Sequence, residues 1–392
     1  MEVSKPMTSE RDAVVVACAR TPLAKAFKGG FAATHPVEYA AQALKGVLKK
    51  LPNLDPALIE DVIVGCATPE RYVGYNVARL IVQRAELPET VPAQTVNRFC
   101  SSGLQTIATA ANAIMAGQID IAVAGGVEMM TGITIAQPEE YQNEWLKKNL
   151  VGAYMTMGMT AEIVAERYGI TRKEMEEMAV QSHRKAAAAR EAGKFIGEII
   201  PITVNTENGS VVVQQDEGIR PGTNAEALAA LQPCFKEDGL LTAATSSQMT
   251  DGASFVVLMS RQKAKSLGYT PIAKLVSFAV AGVASEVMGI GPIAAVPKAL
   301  EKAGLTISDM DTIELNEAFA SQALVCIREL GFPPEKVNPN GGAMALGHPL
   351  GATGSVLTCK ALSELRRIKG KYALVTMCIG GGMGAAGIFA LE

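Results

Sequence analysis

One cysteine stands where a reactive thiol is expected, at the start of a helix. Cys100 lies in Asn97-Arg-Phe-Cys-Ser-Ser-Gly103, between an extended segment and an Ala-rich segment that predicts a helix to about Ala116. The positive end of a helix dipole and its free N–H groups favour a thiolate, so we expect the pKa of this thiol to fall below about 8.5. A buried, inert cysteine is the alternative. The position makes Cys100 a candidate nucleophile.

A histidine in a glycine-rich loop is the candidate partner. His348 lies in Asn340-Gly-Gly-Ala-Met-Ala-Leu-Gly-His-Pro-Leu-Gly-Ala-Thr-Gly354, where glycines let the backbone approach a ligand closely. The chain has three histidines. We interpret His35, before a proline and a helix, as a loop or capping residue, and His183, in a polar Ala-rich helix, as a surface residue. His348 is therefore the candidate general base.

A second cysteine ends an apolar strand. Cys378 lies in Met377-Cys-Ile-Gly-Gly-Gly-Met-Gly384, and ligands of parallel α/β sheets bind where strands end. The glycines could turn backbone N–H groups toward an oxyanion. Nucleotide binding is the competing interpretation, although the loop lacks the spacing of a dinucleotide site.

Asn316 is the fourth candidate. It opens Asn316-Glu-Ala-Phe-Ala320 at a predicted strand-to-helix turn. Its amide could hold a water molecule or an oxyanion there. Capping of the next helix is the alternative role.

The remaining cysteines give no chemical pattern. The chain has seven cysteines, with no CxxC pair and no zinc-ligand spacing, so no metal site and no disulfide framework are expected. A reducing compartment fits this usage. We interpret five cysteines as structural: Cys18, Cys66, Cys234, Cys326 and Cys359.

The elements that position these residues occur twice. A strand-like segment at 61–66 precedes a helix-like segment at 75–85, and the same order returns about 250 residues later at 311–316 and 319–330. Cys100 opens a helix followed by a strand at 119–124, and His348 opens a helix followed by a strand at 372–377. Alternating strands and helices predict parallel βαβ units in a duplicated α/β domain.

The sequence between the two halves is richer in polar and charged residues. It includes a helix predicted over 171–192, with Thr171 as its N-cap and Glu174 three residues later. We interpret this stretch as an insertion. The predicted division is residues 1–121 plus 250–271 for the first half, 122–249 for the inserted loop domain, and 272–392 for the second half.

Composition argues against a nucleic-acid-binding protein, a secreted protein and a membrane-anchored protein. The net charge of −3 gives no reason to expect a nucleic-acid partner. The polar first twelve residues lack the apolar centre of a signal peptide. The uncharged stretch 372–391 is long enough to cross a bilayer, but its five glycines favour a strand, a tight loop and a second strand.

Together, the four motifs closely resemble the thiolase family, and they occur in that family's order over nearly the whole chain. Ala17-Cys-Ala-Arg-Thr21 and Gly125-Gly-Val-Glu-Met129 are also similar. The resemblance implies an α/β thiolase fold: two duplicated halves form a layered α/β/α/β/α core, and an inserted loop domain holds CoA. It also implies an acyltransferase that cleaves 3-ketoacyl-CoA with CoA to acetyl-CoA and a shortened acyl-CoA.

The resemblance assigns roles at matched positions. Cys100 resembles the nucleophile that accepts the acyl group, His348 the group that takes its proton, and Cys378 the second acid/base. Asn316, through a water molecule, and His348 resemble one oxyanion hole. The backbone N–H groups of Cys100 and Gly380 resemble the other.

Contacts with CoA and the acyl chain follow in the same way. Arg220 resembles the arginine near the adenine end, and Ser247 the serine beside the pantetheine. Four residues resemble the apolar wall of the substrate tunnel: Met157, Phe235, Met288 and Phe319. CoA and acyl-CoA are substrates, so no cofactor is implied. A homodimer or homotetramer, a cytoplasmic location and partner enzymes of fatty acid β-oxidation are also implied.

One departure bears on the substrate. Short-chain acetoacetyl-CoA thiolases often carry a histidine before the matched methionine, where this chain has Thr156 in Tyr154-Met-Thr-Met-Gly158. This favours a degradative enzyme for longer chains. The alternatives are a short-chain thiolase that condenses two acetyl-CoA and, from a different class, a non-catalytic CoA or lipid carrier. A ketoacyl synthase is expected to lack Cys378 and its glycine loop.

Overall fold

The computed structural model describes residues 9–133, 137–207 and 209–392. The prediction of a polar start without a signal peptide lies outside the described residues at positions 1–8, and the predicted loop domain includes residues 134–136 and 208, which also lie outside them. The strands are β1 (Ala13–Arg20), β2 (Ala24–Lys25), β3 (Asp61–Gly65), β4 (Ala93–Val96), β5 (Ile121–Met129), β6 (Ile202–Thr206), β7 (Gly209–Val213), β8 (Thr250–Ser260), β9 (Ala273–Gly282), β10 (Thr312–Leu315), β11 (Tyr372–Ile379) and β12 (Met383–Leu391).

The α-helices lie between these strands and in the inserted region. They are α1 (Pro36–Leu48), α2 (Val77–Arg84), α3 (Ser102–Met115), α4 (Glu144–Asn149), α5 (Met157–Arg167), α6 (Arg172–Glu191), α7 (Ala225–Ala229), α8 (Arg261–Ser266), α9 (Gly291–Ala303), α10 (Ala320–Glu329), α11 (Ala343–Leu346) and α12 (Leu350–Ile368).

The main sheet consists of two halves joined by a short seam. Within the described residues its order is β10-β11-β12-β9-β1-β8-β5-β3-β4, with β2 paired to β8. The seam between β9 and β1 pairs Val14 with Lys274 and Val15 with Ala273. Parallel pairing occurs between β3 and each of β4 and β5, and between β10 and β11. The predicted duplication of parallel βαβ units therefore appears in both halves.

Strand alternation divides the side chains of the first half between two layers. Val62 and Val64 of β3 pack in a buried cluster with Tyr39 of α1, on the outer side. Ile63, between them, packs with Ile107 of α3 on the inner side. Successive residues of a strand point to opposite faces, so one apolar strand supports a helix layer on each side.

The second half repeats this arrangement. Leu374 of β11 packs with Val296 of α9 and Cys326 of α10, whereas Val375 packs in the inner cluster with Leu362 of α12. The helices α3 and α12 therefore lie between the two halves. The layers are α1 and α2, the first half-sheet, α3 and α12, the second half-sheet, and α9 and α10, which confirms the predicted five-layer core.

The two middle helices approach closely because glycine lies at their crossing. A Cβ on Gly103 would lie 2.8 Å from the backbone nitrogen of Ser355, and a Cβ on Gly354 would lie 2.1 Å from that of Leu104. Neither distance leaves room for a methyl group. Both glycines belong to the predicted motifs, so these motifs also bring the starts of α3 and α12 together.

The inserted region packs on the second half. Side chains of α5 and α6, including Val164 and Met175, share a buried cluster with Met288 and Cys378. The predicted cap of α6 is confirmed: Thr171 Oγ1 accepts from the backbone nitrogen of Glu174, and the Glu174 carboxylate accepts from that of Thr171.

Two further predictions concern boundaries. The uncharged stretch 372–391 forms the antiparallel hairpin of β11 and β12, as predicted, and no helix within the described residues is long and apolar enough to cross a membrane. The domain division stays a prediction. Strand β5 crosses its first boundary, because the strand continues from Ile121 to Met129.

Candidate active site

Cys100 lies in a short 3₁₀ turn, Phe99–Ser101, that leads into α3. Local hydrogen bonds hold the turn: the backbone nitrogen of Phe99 donates to Asn97 Oδ1 at 2.8 Å, and that of Arg98 donates to Ser102 Oγ at 2.9 Å. The turn packs against α12 and β11. Cys100 itself stays partly exposed.

The Cys100 thiol faces the glycine loop of the second half. The backbone N–H of Gly380 lies near enough to lower the pKa of Cys100, and Cys100 lies near enough to Cys378 to raise the pKa of that second thiol. Burial nevertheless raises the pKa of Cys100 to about 11, although the N–H of Gly380 acts to lower it. The predicted lowering of this pKa is therefore wrong. The α-helix begins two residues later, at Ser102, and loss of hydration outweighs its dipole.

Cys378 lies near the end of β11, and Gly380 begins the turn that joins β11 to β12. Cys378 pairs with Gly384 across the hairpin and is fully buried. Burial, with the Cys100 and Cys326 thiols nearby, raises its pKa well above the ordinary value. Cys378 is therefore protonated at neutral pH and has a proton to donate.

His348 precedes α12 and is held by residues of α12 and of two other segments, those around Gln248 and Asn316. Its backbone nitrogen donates to the carbonyl of Gln248 at 3.1 Å. Its ring nitrogens lie 2.6 Å (Nδ1) from Thr353 Oγ1 and 3.3 Å (Nε2) from Asn316 Nδ2. Burial lowers the pKa of His348 to about 4. The imidazole is therefore neutral at neutral pH and available to take a proton.

Asn316 follows β10 and points its amide at His348. The backbone nitrogen of Asn316 donates to the carbonyl of Thr376 at 3.0 Å, and the backbone carbonyl of Asn316 accepts from Gln322 Nε2 at 3.2 Å. Helix α10 is capped by Phe319, so the alternative that Asn316 caps this helix is wrong. Asn316 Oδ1 is buried and forms no hydrogen bond within the described residues. The amide therefore keeps hydrogen-bonding capacity beside the imidazole.

Three supporting residues were missed from the sequence. Thr353 lies in the His348 motif, five residues along, and orients the ring. Glu317 follows Asn316 and accepts from Ser182 Oγ at 2.7 Å and Asn338 Nδ2 at 2.8 Å, which ties α6 to the second half. Glu128 lies in the quoted Gly125–Met129 motif. The signal for all three was a polar residue inside a matched motif.

The predicted tunnel residues come together beside Cys378. Met288 and Phe319 are buried in its cluster, and Met157 and Phe235 pack against that cluster. The rings of Phe235 and Phe319 meet edge to face with centroids 5.7 Å apart. A Cβ on Gly380 would lie 3.5 Å from Met157 Sδ. An apolar wall therefore begins at the two thiols.

The two predicted CoA contacts lie differently. Ser247 is half-buried, and its backbone nitrogen donates to the carbonyl of Ala318 at 2.9 Å. The next residue is Gln248, whose carbonyl accepts from the backbone nitrogen of His348. Arg220 is exposed, and its described hydrogen bonds are backbone ones that do not bring it to the thiols. The backbone nitrogen of Arg220 donates to His183 Nδ1 at 3.1 Å.

His183 corrects one prediction. It is buried rather than on the surface, because its face of α6 packs against the core with Ala186 and Ala187. Burial, with the charges of Arg220 and Lys25, lowers its pKa to about 4. His35 behaves as predicted: it caps α1, and its Nδ1 accepts from the backbone nitrogen of Val37.

Comparisons with known proteins agree along the whole chain. Residues 13–262 match the family model "Thiolase, N-terminal domain", and residues 269–391 match "Thiolase, C-terminal domain". The 3-ketoacyl-CoA thiolase of Bacillus subtilis (strain 168) is 51% identical over 390 residues, which cover 97% of this chain and 100% of that protein. The peroxisomal 3-ketoacyl-CoA thiolase of Homo sapiens is 47% identical, over 98% of this chain and 92% of its own.

Solved structures give the same result. The acetyl-CoA acetyltransferase of Bacillus anthracis has a TM-score of 0.91 and 38% identity, over 97% of this chain and 99% of its own. The dimeric peroxisomal thiolase of Saccharomyces cerevisiae has a TM-score of 0.91 and 39% identity, over 98% and 99% of the two chains. Motifs, fold and relatives coincide: the chain belongs to the thiolase family.

Proposed function

We propose that this chain is an acyltransferase that cleaves 3-ketoacyl-CoA with CoA, giving acetyl-CoA and a shortened acyl-CoA. One observation carries the proposal: the Cys100 thiol lies at the backbone N–H of Gly380 with the Cys378 thiol beside it. The two cysteines form no disulfide, and the neutral imidazole of His348 precedes α12, which packs against the turn that carries Cys100. This arrangement fits an enzyme that needs both a nucleophile and a second acid/base.

In the first step the Cys100 sulfur attacks the 3-keto carbon of the substrate. Thiol and imidazole are both neutral at rest, since burial holds the pKa of Cys100 near 11 and that of His348 near 4. The thiol proton therefore passes to His348 as the sulfur–carbon bond forms. The backbone N–H groups of Cys100 and Gly380 are proposed to stabilise the oxyanion at that carbon.

Breaking the bond between carbons 2 and 3 leaves an acetyl-CoA enolate and an acyl group on Cys100. The protonated Cys378 supplies a proton to the enolate carbon. The amide of Asn316 and the ring of His348, 3.3 Å apart, are proposed to stabilise the enolate oxygen, directly or through a water molecule.

The second step restores the enzyme. The Cys378 thiolate takes the proton of an incoming CoA thiol, and the CoA sulfur displaces the acyl group from Cys100. The released Cys100 sulfur then takes back the proton that His348 holds. One thioester replaces another of similar energy, so the reaction can run in both directions. The proposed chemistry uses only side chains, backbone N–H groups and CoA thioesters. That the enzyme needs no cofactor and no metal stays a prediction.

A longer acyl chain is the proposed substrate. The apolar wall consists of flexible methionine and flat phenylalanine side chains, which suit an alkyl chain: Met157, Met288, Phe235 and Phe319. Thr156, directly before α5, is exposed and smaller than a histidine. Ser247 and Arg220 are proposed to contact the pantetheine and the adenine end of CoA.

The assembly and setting are proposed from the relatives. One solved relative is described as a dimeric thiolase, which supports a homodimer, and a homotetramer is the larger alternative. We further propose a cytoplasmic location and a role in fatty acid β-oxidation beside partner enzymes of that pathway.

The test is a thiolysis series on 3-ketoacyl-CoA substrates of increasing chain length, with and without CoA. The proposal expects CoA-dependent consumption, with kcat/KM rising from the four-carbon substrate to one of about six to ten carbons because each added methylene contributes up to about 0.8 kcal/mol. An enzyme active only on acetoacetyl-CoA would support the acetyltransferase alternative, which one solved relative favours. Binding without turnover would support the carrier alternative.

A further inference from the structure

A cavity outside the active site opens beside a second pair of cysteines. Its volume is about 300 Å³, and Cys18, Lys50, Gly197 and Arg366 are among the residues that line it. Lys50, Gly197 and Arg366 are exposed, so the cavity communicates with solvent. Cys18, on β1, is partly exposed.

The thiol of Cys18 meets that of Cys359, on α12. Cys18 packs against the buried cluster that contains Cys359, although the two residues are 341 positions apart in sequence, and each thiol shifts the pKa of the other. Cys359 Sγ lies 3.5 Å from Ser254 Oγ. Cys359 is fully buried. Cys18 therefore lines the cavity, and Cys359 belongs to the buried cluster against which it packs.

The surroundings favour an anionic sulfur at Cys18. Lys50 Nζ is held at the mouth by the carbonyls of Gly197 at 2.6 Å and Cys18 at 3.2 Å. The Cys359 thiol, chiefly, and the charge of Lys50 lower the pKa of Cys18, against burial and the charge of Glu198. Burial instead raises the pKa of each of the other six cysteines.

We propose that Cys18 and Cys359 form a reversible dithiol–disulfide site that reacts with hydrogen peroxide entering the cavity. The Cys18 thiolate attacks the peroxide, forming an S–O bond and breaking the O–O bond, and the leaving oxygen departs as water after taking a proton. The Cys359 sulfur then attacks Cys18, forming the S–S bond and breaking the S–O bond. The second oxygen leaves as water with the Cys359 proton. Two thiols and one hydrogen peroxide thus give one disulfide and two waters.

This site is separate from the proposed catalytic reaction. Its disulfide would join β1 of the first half to α12, the helix that also carries Thr353 beside His348. The interpretation of both cysteines as structural, made from the sequence, could not anticipate it, since no CxxC spacing links them.

The test is a peptide map of the full-length protein. Reduced protein is treated with one equivalent of hydrogen peroxide, blocked with N-ethylmaleimide and digested without reductant. The expected product is a Cys18 peptide linked to a Cys359 peptide, which dithiothreitol separates. Because Cys100 and Cys378 also lie together, the map must distinguish the two pairs. A link between Cys100 and Cys378 alone, or Cys18 oxidised with Cys359 still free, would overturn the proposal.

A variant and its control sharpen the test. Cys359→Ala should abolish the link and slow the oxidation of Cys18 several-fold, because both the second thiol and its lowering effect on the pKa of Cys18 are lost. Cys326→Ala, a buried cysteine of α10, should leave both unchanged. An unchanged Cys18 oxidation rate in Cys359→Ala would overturn the activating role. These readouts are covalent, so they stand whether or not the thiolysis assay succeeds.

Discussion

The two turns that lead into the middle helices have the same place in the two halves and different chemistry. The turn before α3 carries the partly exposed thiol of Cys100, whereas the turn before α12 carries the buried imidazole of His348. The second half also supplies Cys378 and Asn316. Duplication of an architecture therefore supplied two equivalent positions, and the side chains at them decide which one holds the nucleophile and which one the base.

Burial acts on the two groups in opposite directions with the same result. It raises the pKa of the Cys100 thiol to about 11 and lowers that of the His348 imidazole to about 4. Both groups are therefore neutral at rest. Charge separates only when a substrate accepts the sulfur, and the nearby N–H donors then stabilise the oxyanion.

A carboxyl group of the first half also holds the start of α12. Glu128 is fully buried on β5 and accepts from the backbone nitrogens of Ala67 and Gly351, each at 2.8 Å. Gly351 lies in the first turn of α12, three residues after His348. The base is thus held in part by the half that carries the nucleophile.

The largest expected effect is loss of the nucleophile. Cys100→Ser should lower thiolysis on the order of 10⁴-fold or more, because serine gives no thiolate at neutral pH. The matched control is Cys234→Ser, an exposed cysteine, which should leave kcat unchanged. Circular dichroism melts establish that both variants fold. Substantial thiolysis by Cys100→Ser would reassign the nucleophile.

Loss of the second acid/base should separate the two steps. Cys378→Ala should lower thiolysis by roughly 10²–10⁴-fold, since protonation of the enolate fails. Acetylation of Cys100 by acetyl-CoA should persist, because that step needs no proton at the carbon. Intact-protein mass spectrometry reads out the acetyl group. A parent that acetylates beside a variant that does not would argue against separate roles.

The third prediction tests the neutral resting pair. With the pKa of Cys100 near 11, its thiolate fraction rises about tenfold per pH unit, so alkylation by iodoacetamide should increase about 100-fold from pH 7 to pH 9. Peptide mapping isolates the Cys100 product. A free thiol with a pKa of about 8.5, measured in the same buffers, should rise only about 25-fold and begin to level off near pH 9. A plateau for Cys100 below pH 8 would instead mean a stabilised thiolate.

A moderate effect is expected from the residue that orients the base. Thr353→Val removes the partner of His348 Nδ1 at 2.6 Å and should lower kcat about tenfold with little change in KM. The control is Thr358→Val on the same helix, whose hydroxyl donates to the carbonyl of Gly354. Equal losses in both variants would indicate a general effect on α12 rather than on the imidazole.

The smallest effect concerns the loop domain. Thr156→His should reduce the preference for longer substrates, by about fourfold for each methylene that loses its contact. The measurement is kcat/KM for four-carbon and longer substrates in parent and variant. Thr160→Ser, on the buried side of α5, serves as a conservative control. An unchanged ratio would remove Thr156 from the determinants of chain length.

The sequence alone determined the elements, the motifs and their order. The capped helix α6, the hairpin β11–β12 and the paired halves rest on periodicity, caps and turn residues, which are short-range properties readable from neighbouring positions. Cys100, His348, Cys378 and Asn316 stood out for the same reason, since each lies in a local motif at an element boundary.

The tertiary structure decided what those residues can do. A helix start suggested a lowered pKa for Cys100, but the packing of the second half around the thiol raises it. An Ala-rich polar helix suggested a surface position for His183, but the core covers it. Cys18 and Cys359 meet only because β1 and α12 pack together. Hydration and contact depend on residues far apart in the chain, and no local pattern records them.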